Sequence, residues 1–485
     1  MRTIAARAAA SILLLGWLPA ASADWQFTPG IGLSEIFIDN IELAPSGAEE
    51  EEYFTQAILA FSAAEESNRL RADIDYQMQN LFAVRDSDRN ATFHQLDAVA
   101  RGRVYGDSLF IDANATYDQQ LIDPDRATNV NNLFENSNLT DVGTLVVSPN
   151  YVRTVGRSEL DLRYSKGLVE FDENQFDDQT LQDARIDELE ASIGTEDEDA
   201  RNSWRLRYDY QRTEFEMSPE FEFEEAAGEI AVGLTDYLSV VGIGGLESDL
   251  EEDTTSAGLD AEFWEAGFRL KGARNELELR YGRRFFGDSQ FARYAYRGRR
   301  LGASMSYRES PTTAASLLAA TPFQPTSNPV ERDVDGGSEL TDEVFVSKDF
   351  NAELTYKANR TEFGLNLFDY RSDFIEAMNS GETRGVAFEA VRAIAPRTSV
   401  GLGVSWRRNI AREGDDDQED YGVSGGLFRQ LGARTTGSIE IAHFRREPNT
   451  EYRANWIILQ FTRRFGPGEL QALQGGGSSI AGFRR

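Results

Sequence analysis

Residues 204–211 read Trp-Arg-Leu-Arg-Tyr-Asp-Tyr-Gln, with large apolar or aromatic side chains at the even positions and polar ones at the odd positions. The same alternation recurs in roughly twenty segments of about nine to fourteen residues each, many of them joined by short turns. Successive side chains of a strand point to opposite faces, so each segment presents one apolar and one polar face. The pattern predicts an all-β chain.

Two architectures could use such strands. In a soluble sandwich, the apolar faces pack against a second sheet. In a membrane barrel, the apolar faces meet lipid and the polar faces line the interior. The polar faces here carry arginine and glutamate in ladders, and the chain opens with an export signal. We therefore predict a transmembrane antiparallel outer-membrane β-barrel of about 20–22 strands, with an even strand number.

The first 23 residues have the parts of a secretory signal peptide. Arg2 and Arg7 supply the charged region, residues 8–18 are apolar, and residues 21–23 read Ala-Ser-Ala, which is a typical cleavage site. The expected organisation is a signal peptide at 1–23, a barrel at 24–465 and a glycine-rich periplasmic tail at 466–485. The expected location is the outer membrane of a Gram-negative cell, with outer-membrane lipid, lipopolysaccharide and the barrel assembly machinery as partners.

The charge balance limits the range of functions. The chain has 82 acidic and 49 Lys or Arg residues, a net charge of −33, and loss of Arg2 and Arg7 with the signal would make this −35. Such a chain repels nucleic acid, which we exclude as a partner. The same excess predicts a lumen that prefers cations. Acidic runs such as 49–52 and 415–417 are interpreted as solvated loops, with bridging of divalent cations as the alternative.

Residues suited to catalysis are scarce. Cysteine is absent, which excludes thiol catalysis, disulfides and thiolate metal sites. His94 and His443 are the only histidines, and neither has neighbours at the spacing of a metal motif. Both are interpreted as residues of the barrel rim rather than as catalytic bases. We therefore predict no enzyme activity, no catalytic residue, no metal site and no cofactor, and an outer-membrane hydrolase is the least favoured alternative.

Charged residues on the polar faces are the candidate functional residues. Inside a barrel they would form cross-strand ion pairs that hold the wall. The functional alternative is that they determine which solute passes, because rings of charge govern the selectivity of pores. The predicted lumen-facing residues are Arg163, Arg205, Arg207, Asp209, Glu276, Glu278, Arg280 and Arg284.

Residues 310–341 interrupt the alternation of short and long connections. Short turns counted from the two ends of the chain fall on the same side of the membrane only if this stretch adds one extra crossing. It contains Pro322, Pro325 and Pro329. Two interpretations remain open from the sequence, an irregular strand or a plug that lies in the lumen.

Three stretches carry a resemblance to a known family. They are the start at 25–29 (Trp-Gln-Phe-Thr-Pro) followed by Asp39-Asn40-Ile41, the stretch 344–348 (Val-Phe-Val-Ser-Lys), and the ending at 455–465. In these stretches and in the order of its strands, the chain resembles the outer-membrane barrel proteins associated with PEP-CTERM/exosortase systems. The genes of that family lie beside exopolysaccharide clusters. The resemblance covers nearly the whole mature chain. The glycine-rich tail after Phe465 departs from the plain aromatic ending of that family.

The resemblance implies a channel or conduit for exopolysaccharide export or surface assembly, with exopolysaccharide export components as partners. It transfers no catalytic residues. The alternatives are a general cation-preferring porin and a closed structural barrel. A receptor with an N-terminal plug is disfavoured, because strand-like alternation begins near residue 25.

Overall fold

The computed structural model describes residues 25–122, 139–172, 181–196, 201–250, 258–320, 340–375, 380–410, 417–447 and 451–466. The expected signal peptide, and the expected tail beyond Gly466, lie outside these ranges. Within them, no helix combines the length and the hydropathy that a membrane span requires.

The described residues form 22 strands. The first eleven are β1 (Gln26–Ile38), β2 (Glu52–Glu66), β3 (Leu70–Ala83), β4 (Ala91–Tyr105), β5 (Leu109–Leu121), β6 (Leu139–Val155), β7 (Ser158–Phe171), β8 (Ala184–Thr195), β9 (Asn202–Phe215), β10 (Phe221–Gly233) and β11 (Leu238–Glu247). The second eleven are β12 (Ala261–Lys271), β13 (Asn275–Arg284), β14 (Gly287–Arg297), β15 (Leu301–Thr312), β16 (Phe345–Ala358), β17 (Thr361–Phe374), β18 (Ser380–Ala395), β19 (Thr398–Ile410), β20 (Gln418–Gly432), β21 (Thr435–Glu447) and β22 (Tyr452–Arg464).

Each strand pairs antiparallel with the strands before and after it in the sequence, and β1 pairs with β22. The closing register runs from Gly30 opposite Arg464 to Ile38 opposite Trp456. Closure leaves no sheet edge with unpaired backbone groups, which is the condition for a sheet to cross a bilayer. The predicted transmembrane β-barrel is therefore confirmed, with an even strand number at the upper end of the predicted range.

The cross-strand register shows which residues share a face. Arg207 lies opposite Ala227, and Ala227 lies opposite Gly245, so the odd-numbered residues of β9, β10 and β11 form one face. The other face leaves large apolar side chains exposed, among them Trp204 at 43% and Ile230 at 61%. Large exposed apolar side chains continue on this face around the ring, and a lipid environment accounts for them. Examples are Leu33, Leu59, Trp264, Tyr281, Leu402, Ile441 and Phe461.

The two rims differ in the length of their connections. Short turns close one rim, where Gly106, Gly156 and Asn359 adopt the positive φ angles that tight hairpins require. Most connections at the other rim are longer, such as 39–51 and 313–344, and the two-residue turn at 285–286 is the exception. The described barrel begins at β1 and ends at β22 on the short-turn side. By the general pattern of outer-membrane barrels, that side is periplasmic.

The connection that contains most of residues 310–341 adds no crossing to the wall. Strands β15 and β16 pair directly along their length, from Leu301 opposite Tyr356 to Thr312 opposite Phe345. The chain therefore leaves and re-enters the wall at the same rim, and the expected extra crossing is wrong. Two short turns, at 285–286 and 298–300, divide the chain between the turns at 272–274 and 359–360 into four strands, which is the even number that the alternation of the connections needs.

Candidate functional site

The connection after β15 turns into the lumen. Helix α1 (Ala314–Ala319) begins at once, and the Thr313 hydroxyl caps it by accepting a hydrogen bond from the Ser316 N–H. Four of its side chains are buried against the inner face of β6–β8. Strands β9–β14 separate this contact from β15 along the wall. Only Thr313 lies between β15 and α1, so the outer end of β15 itself leans inward and brings α1 against β6–β8. The contacting apolar residues are Ala314, Ala315, Leu318 and Ala319 of α1 with Val142, Val169, Ala184 and Ile186 of the wall.

Polar contacts fix α1 at the same place. The Ser316 hydroxyl accepts a hydrogen bond of 2.7 Å from the Gln211 side chain, and it lies 3.0 Å from the hydroxyl of Thr213. Both partners face inward on β9, on the same face as Arg207. The helix is therefore attached to the lumen side of the wall through polar as well as apolar groups.

The returning end of the same connection also lies along the inner surface. The Leu340 N–H donates a hydrogen bond to the Ile122 carbonyl at 2.9 Å, and the Asp342 carboxylate accepts hydrogen bonds from Gln182 and Ser218. Val344 is buried with Phe221, Phe223 and Leu250. We call residues 313–320 and 340–344 the inner strap. It occupies the lumen side of β6–β10 near the outer rim.

The inner face of β7–β14, which we call the ladder wall, carries ion pairs. Arg284 forms hydrogen-bonded ion pairs with both Glu225 and Glu247. Glu225 also accepts a hydrogen bond of 2.9 Å from the Nε of Arg207. The Arg284 side chain is 9% exposed and that of Glu247 is 0% exposed, with the guanidinium 4.9 Å from the ring centre of Phe263. The network is therefore buried and neutralises its own charges in part.

Two further arginines continue this pattern. Arg280 lies 3.4 Å from Glu265 and 3.5 Å from Glu278, and its guanidinium stacks 3.9 Å from the ring centre of Phe291. Arg269 pairs with Glu278 at 2.8 Å and with Glu229 at 3.5 Å. Acids and bases thus alternate over several neighbouring strands of the ladder wall.

The structure places all eight predicted residues on the inner face of the ladder wall. Arg207, Glu278, Arg280 and Arg284 belong to the ion-pair network described above. By register, Glu190 on β8 lies between Arg163 on β7 and Asp209 on β9. Arg205 lies opposite Glu229, and Glu276 lies opposite Lys271. These surroundings agree with the structural role considered in the sequence analysis, in which charged residues form cross-strand ion pairs that hold the wall. A role in ion preference stays a prediction.

A second part of the inner face was missed from the sequence. One row across β16–β21 consists of Thr355, Gly364, Glu389, Gly403, Ser424 and Ala442, each directly opposite the next. The neighbouring row contains Glu353, Asn366, Ala387, Ser405 and Gly422. We call these two rows the open wall, because most of their residues are glycine, alanine or residues with short side chains. Glu389 is half-buried and has glycine directly opposite on both neighbouring strands.

An apolar cluster closes the inner face between the open wall and β3. The loop at 39–51 folds inward and places Ile41 and Leu43 over it, and Asn40 anchors the loop by donating hydrogen bonds to the Ala44 and Arg453 carbonyls. We call this group the seam cluster, because it covers the junction of β1 with β22. Its wall residues are Ile36, Ile38, Phe54, Leu81, Ala442, Phe444, Tyr452, Ala454, Trp456 and Ile458.

The two histidines face away from the lumen. The Nδ1 of His94 lies 2.7 Å from the Tyr76 hydroxyl, and the Nδ1 of His443 lies 2.8 Å from the Asn455 side-chain oxygen. By register, His94 on β4 and His443 on β21 share the face of the exposed apolar residues. Both rings therefore make cross-strand contacts on the outer surface near the outer rim.

Closure, the apolar outer face and the polar inner face define the chain as a barrel of the outer-membrane type. No protein-family model matches the chain, and no curated protein matches it. Among solved structures it is similar to OpdK of Pseudomonas aeruginosa with vanillate, at 9% identity and a TM-score of 0.37, over 91% of this chain and 99% of that chain. OccK2 (OpdF) of the same species, in complex with glucuronate, matches at 9% identity and 0.37, over 92% and 99%.

A third similar structure is a mutant of the ferric enterobactin receptor PfeA of Pseudomonas aeruginosa. It matches at 10% identity and a TM-score of 0.49, over 91% of this chain and 80% of that chain. At these identities the likeness concerns the fold alone.

Proposed function

We propose that this barrel is an outer-membrane channel that passes cations and uncharged hydrophilic solutes in preference to anions. The observation that carries the proposal is the difference between the ladder wall and the two rows of the open wall. Nearer the outer rim of the same strands, Asp420 is paired with Arg407 and Arg446. The ladder wall pairs its acids with arginines, as Arg284 does with Glu225 and Glu247. The open wall has small residues, and its acids Glu353 and Glu389 have no basic residue directly opposite.

The arrangement favours a path for solutes along the open wall. Long arginine and glutamate side chains fill the ladder wall, and the inner strap covers the β6–β10 side near the outer rim. Glycine, alanine and serine leave room on the open wall. An unpaired carboxylate beside a water-filled path attracts cations and repels anions. A barrel of 22 strands is wide enough to hold such a path beside an inward-folded segment.

The first prediction concerns three sugars of similar size and different charge. In proteoliposomes at pH 6 and low salt, we expect glucosamine to enter fastest, glucose next, and glucuronate slowest, by about three- to tenfold overall. Radiolabelled sugar retained after rapid filtration measures the entry rates. Liposomes without protein provide the control. Entry of glucuronate at the rate of glucosamine or faster would contradict the proposal.

A second candidate is the conduit for exopolysaccharide export or surface assembly. The resemblance at 25–29, 39–41, 344–348 and 455–465 favours it, and a path of small and hydroxyl-bearing residues suits a neutral or cationic polymer. In a strain without the chain, we expect polysaccharide to fall outside the cell and to accumulate in the periplasm. Restoring the intact chain should reverse both changes. Unchanged amounts in the two compartments would exclude this candidate.

A further inference from the structure

We infer that a recess in the open wall is a binding subsite for a hydroxylated solute that carries a protonated amine, such as an amino sugar. Glu389 is the residue that binds the ammonium group. The inference rests on the proposed function, because such a solute reaches the recess only through an open lumen.

The recess lies at mid-height of β18–β22. It is an open depression rather than a closed cavity, and the recess together with the lumen in front of it has about 450 Å³ of empty space. Gly403, Ser405, Gly422 and Ser424 form its floor, and Glu389 stands at one end. One row of the recess crosses the five strands, and each of its residues lies directly opposite the next: Glu389, Gly403, Ser424, Ala442 and Trp456. That row spans four strand spacings, about 19 Å, which is longer than a single sugar ring.

The recess exists because the residues of its floor are small. A Cβ atom added to Gly422 would lie 2.5 Å from the Ser405 Oγ, so a larger residue there would displace the serine hydroxyl. The backbone groups of the floor are used in the ladders between β19, β20 and β21. The hydroxyls of Ser405 and Ser424 are therefore the polar groups that the floor offers to hydroxyl groups of a solute.

The opposite end of the recess is largely apolar. Phe444 and Trp456 line it, and both are buried in the seam cluster together with Ile41 and Leu43. Glu440 lies beside them, opposite Gly426 and Ile458. A solute in the recess would thus meet two buried aromatic residues and Glu440 at one end and Glu389 at the other.

The surroundings of Glu389 favour an organic ammonium over other ligands. Gly364 and Gly403 lie directly opposite it, so neither of the two directly opposed residues places a side chain beside the carboxylate. Partial burial strengthens its attraction for a charged donor, and the hydrogen bond to an ammonium is charge-assisted. One carboxylate with two serine hydroxyls is a poor site for a divalent cation, which takes six to eight oxygen ligands in the case of calcium. An anionic sugar would be repelled.

The test uses single-channel currents of the full chain in planar bilayers. The probe is the fully deacetylated trimer of glucosamine at pH 7, and its N-acetylated form is the uncharged comparison. We expect the amine form to interrupt the current. In Glu389→Gln we expect the interruptions to shorten about tenfold, because a charge-assisted hydrogen bond becomes a neutral one.

Glu159→Gln is the matched control. Glu159 is a half-buried glutamate on the inner face of β7, and it also has a glycine, Gly194, directly opposite. We expect interruptions in this variant to last as long as in the native chain. Heat-dependent migration on SDS gels checks that both variants form barrels.

Several outcomes would overturn the inference. Interruptions that last as long in Glu389→Gln as in the native chain would overturn it. Interruptions that shorten as much in Glu159→Gln as in Glu389→Gln would also overturn it. So would an acetylated trimer that interrupts the current as long as the amine form does. A conducting channel that no trimer interrupts would overturn the subsite alone. A protein that forms barrels but carries no current would overturn the proposed function together with the subsite.

Discussion

A chain in which Asn-Gly replaces residues 313–344 should still form the closed barrel and should conduct about two to five times more current than the native chain. Thr312 and Phe345 lie directly opposite each other, so a two-residue hairpin turn can join β15 to β16 without strain. The replacement removes α1 from the inner face of β6–β8 and thereby widens the lumen. Single-channel conductance in planar bilayers measures the effect.

Two point variants separate this effect from a general loosening of the barrel. Leu318→Asp places a carboxylate in the apolar contact with Val142 and Ile186, so we expect α1 to detach and the conductance to rise by a smaller amount. Ala320→Ser changes the exposed residue after α1 and should conduct like the native chain. If the Asn-Gly chain conducts no more than the native chain, the inner strap does not restrict the pore.

Replacing Arg284 should destabilise the barrel strongly. Arg284→Met removes the shared partner of Glu225 and Glu247, and both carboxylates are almost fully buried. Breaking a buried ion-pair network on one side leaves uncompensated charge, so we expect the free energy of unfolding to fall by about 3–5 kcal/mol. Urea titration of the protein in lipid vesicles, followed by tryptophan fluorescence, gives this quantity.

Arg293→Met is the matched control for this prediction. Arg293 is an exposed arginine on the inner face of the neighbouring strand β14, opposite Glu278 and Ser306, so its loss should cost about 1 kcal/mol or less. The triple variant Arg284→Met, Glu225→Gln and Glu247→Gln should recover part of the lost stability, because it removes the charges together. A loss in Arg284→Met no larger than in Arg293→Met would contradict the buried network.

Most of the wall could be predicted from the sequence, because period-two alternation is a local property. The sequence pattern predicts strands at 25–38, 109–121 and 452–465. The second coincides with β5, and the first and third differ from β1 and β22 by one residue each. The inner face of the ladder wall followed from the same alternation, since polar and apolar residues alternate clearly in β9 and β13.

The connections near 285–300 were harder to predict. Phe285 and Phe286 form an apolar turn, and Gly287, the first residue of β14, adopts a positive φ. An apolar turn does not interrupt the hydrophobic pattern, so the sequence gives no boundary there. Without clear boundaries at 285–286 and 298–300, the sequence does not determine the number of strands between 275 and 312, and the wrong expectation of an extra crossing in 310–341 followed.

The open wall could not be predicted because it depends on register between distant segments. Glu389 sits in an ordinary alternating strand, and nothing local distinguishes it from the paired glutamates of the ladder wall. Glu389 differs from those glutamates in the residues that lie opposite it on the neighbouring strands. Arg284 reaches Glu225 across 59 positions of sequence, whereas Glu389 meets Gly364 and Gly403. Only the closed sheet determines which acids are neutralised.

The most direct test of the central claim is the reversal potential of the reconstituted channel in a KCl gradient. The native chain should give a reversal potential closer to the equilibrium potential of potassium than to that of chloride, because the acids of the open wall attract cations. High salt should reduce this preference, since it screens the carboxylates. A reversal potential toward that of chloride, at low salt and with native protein, would contradict the account.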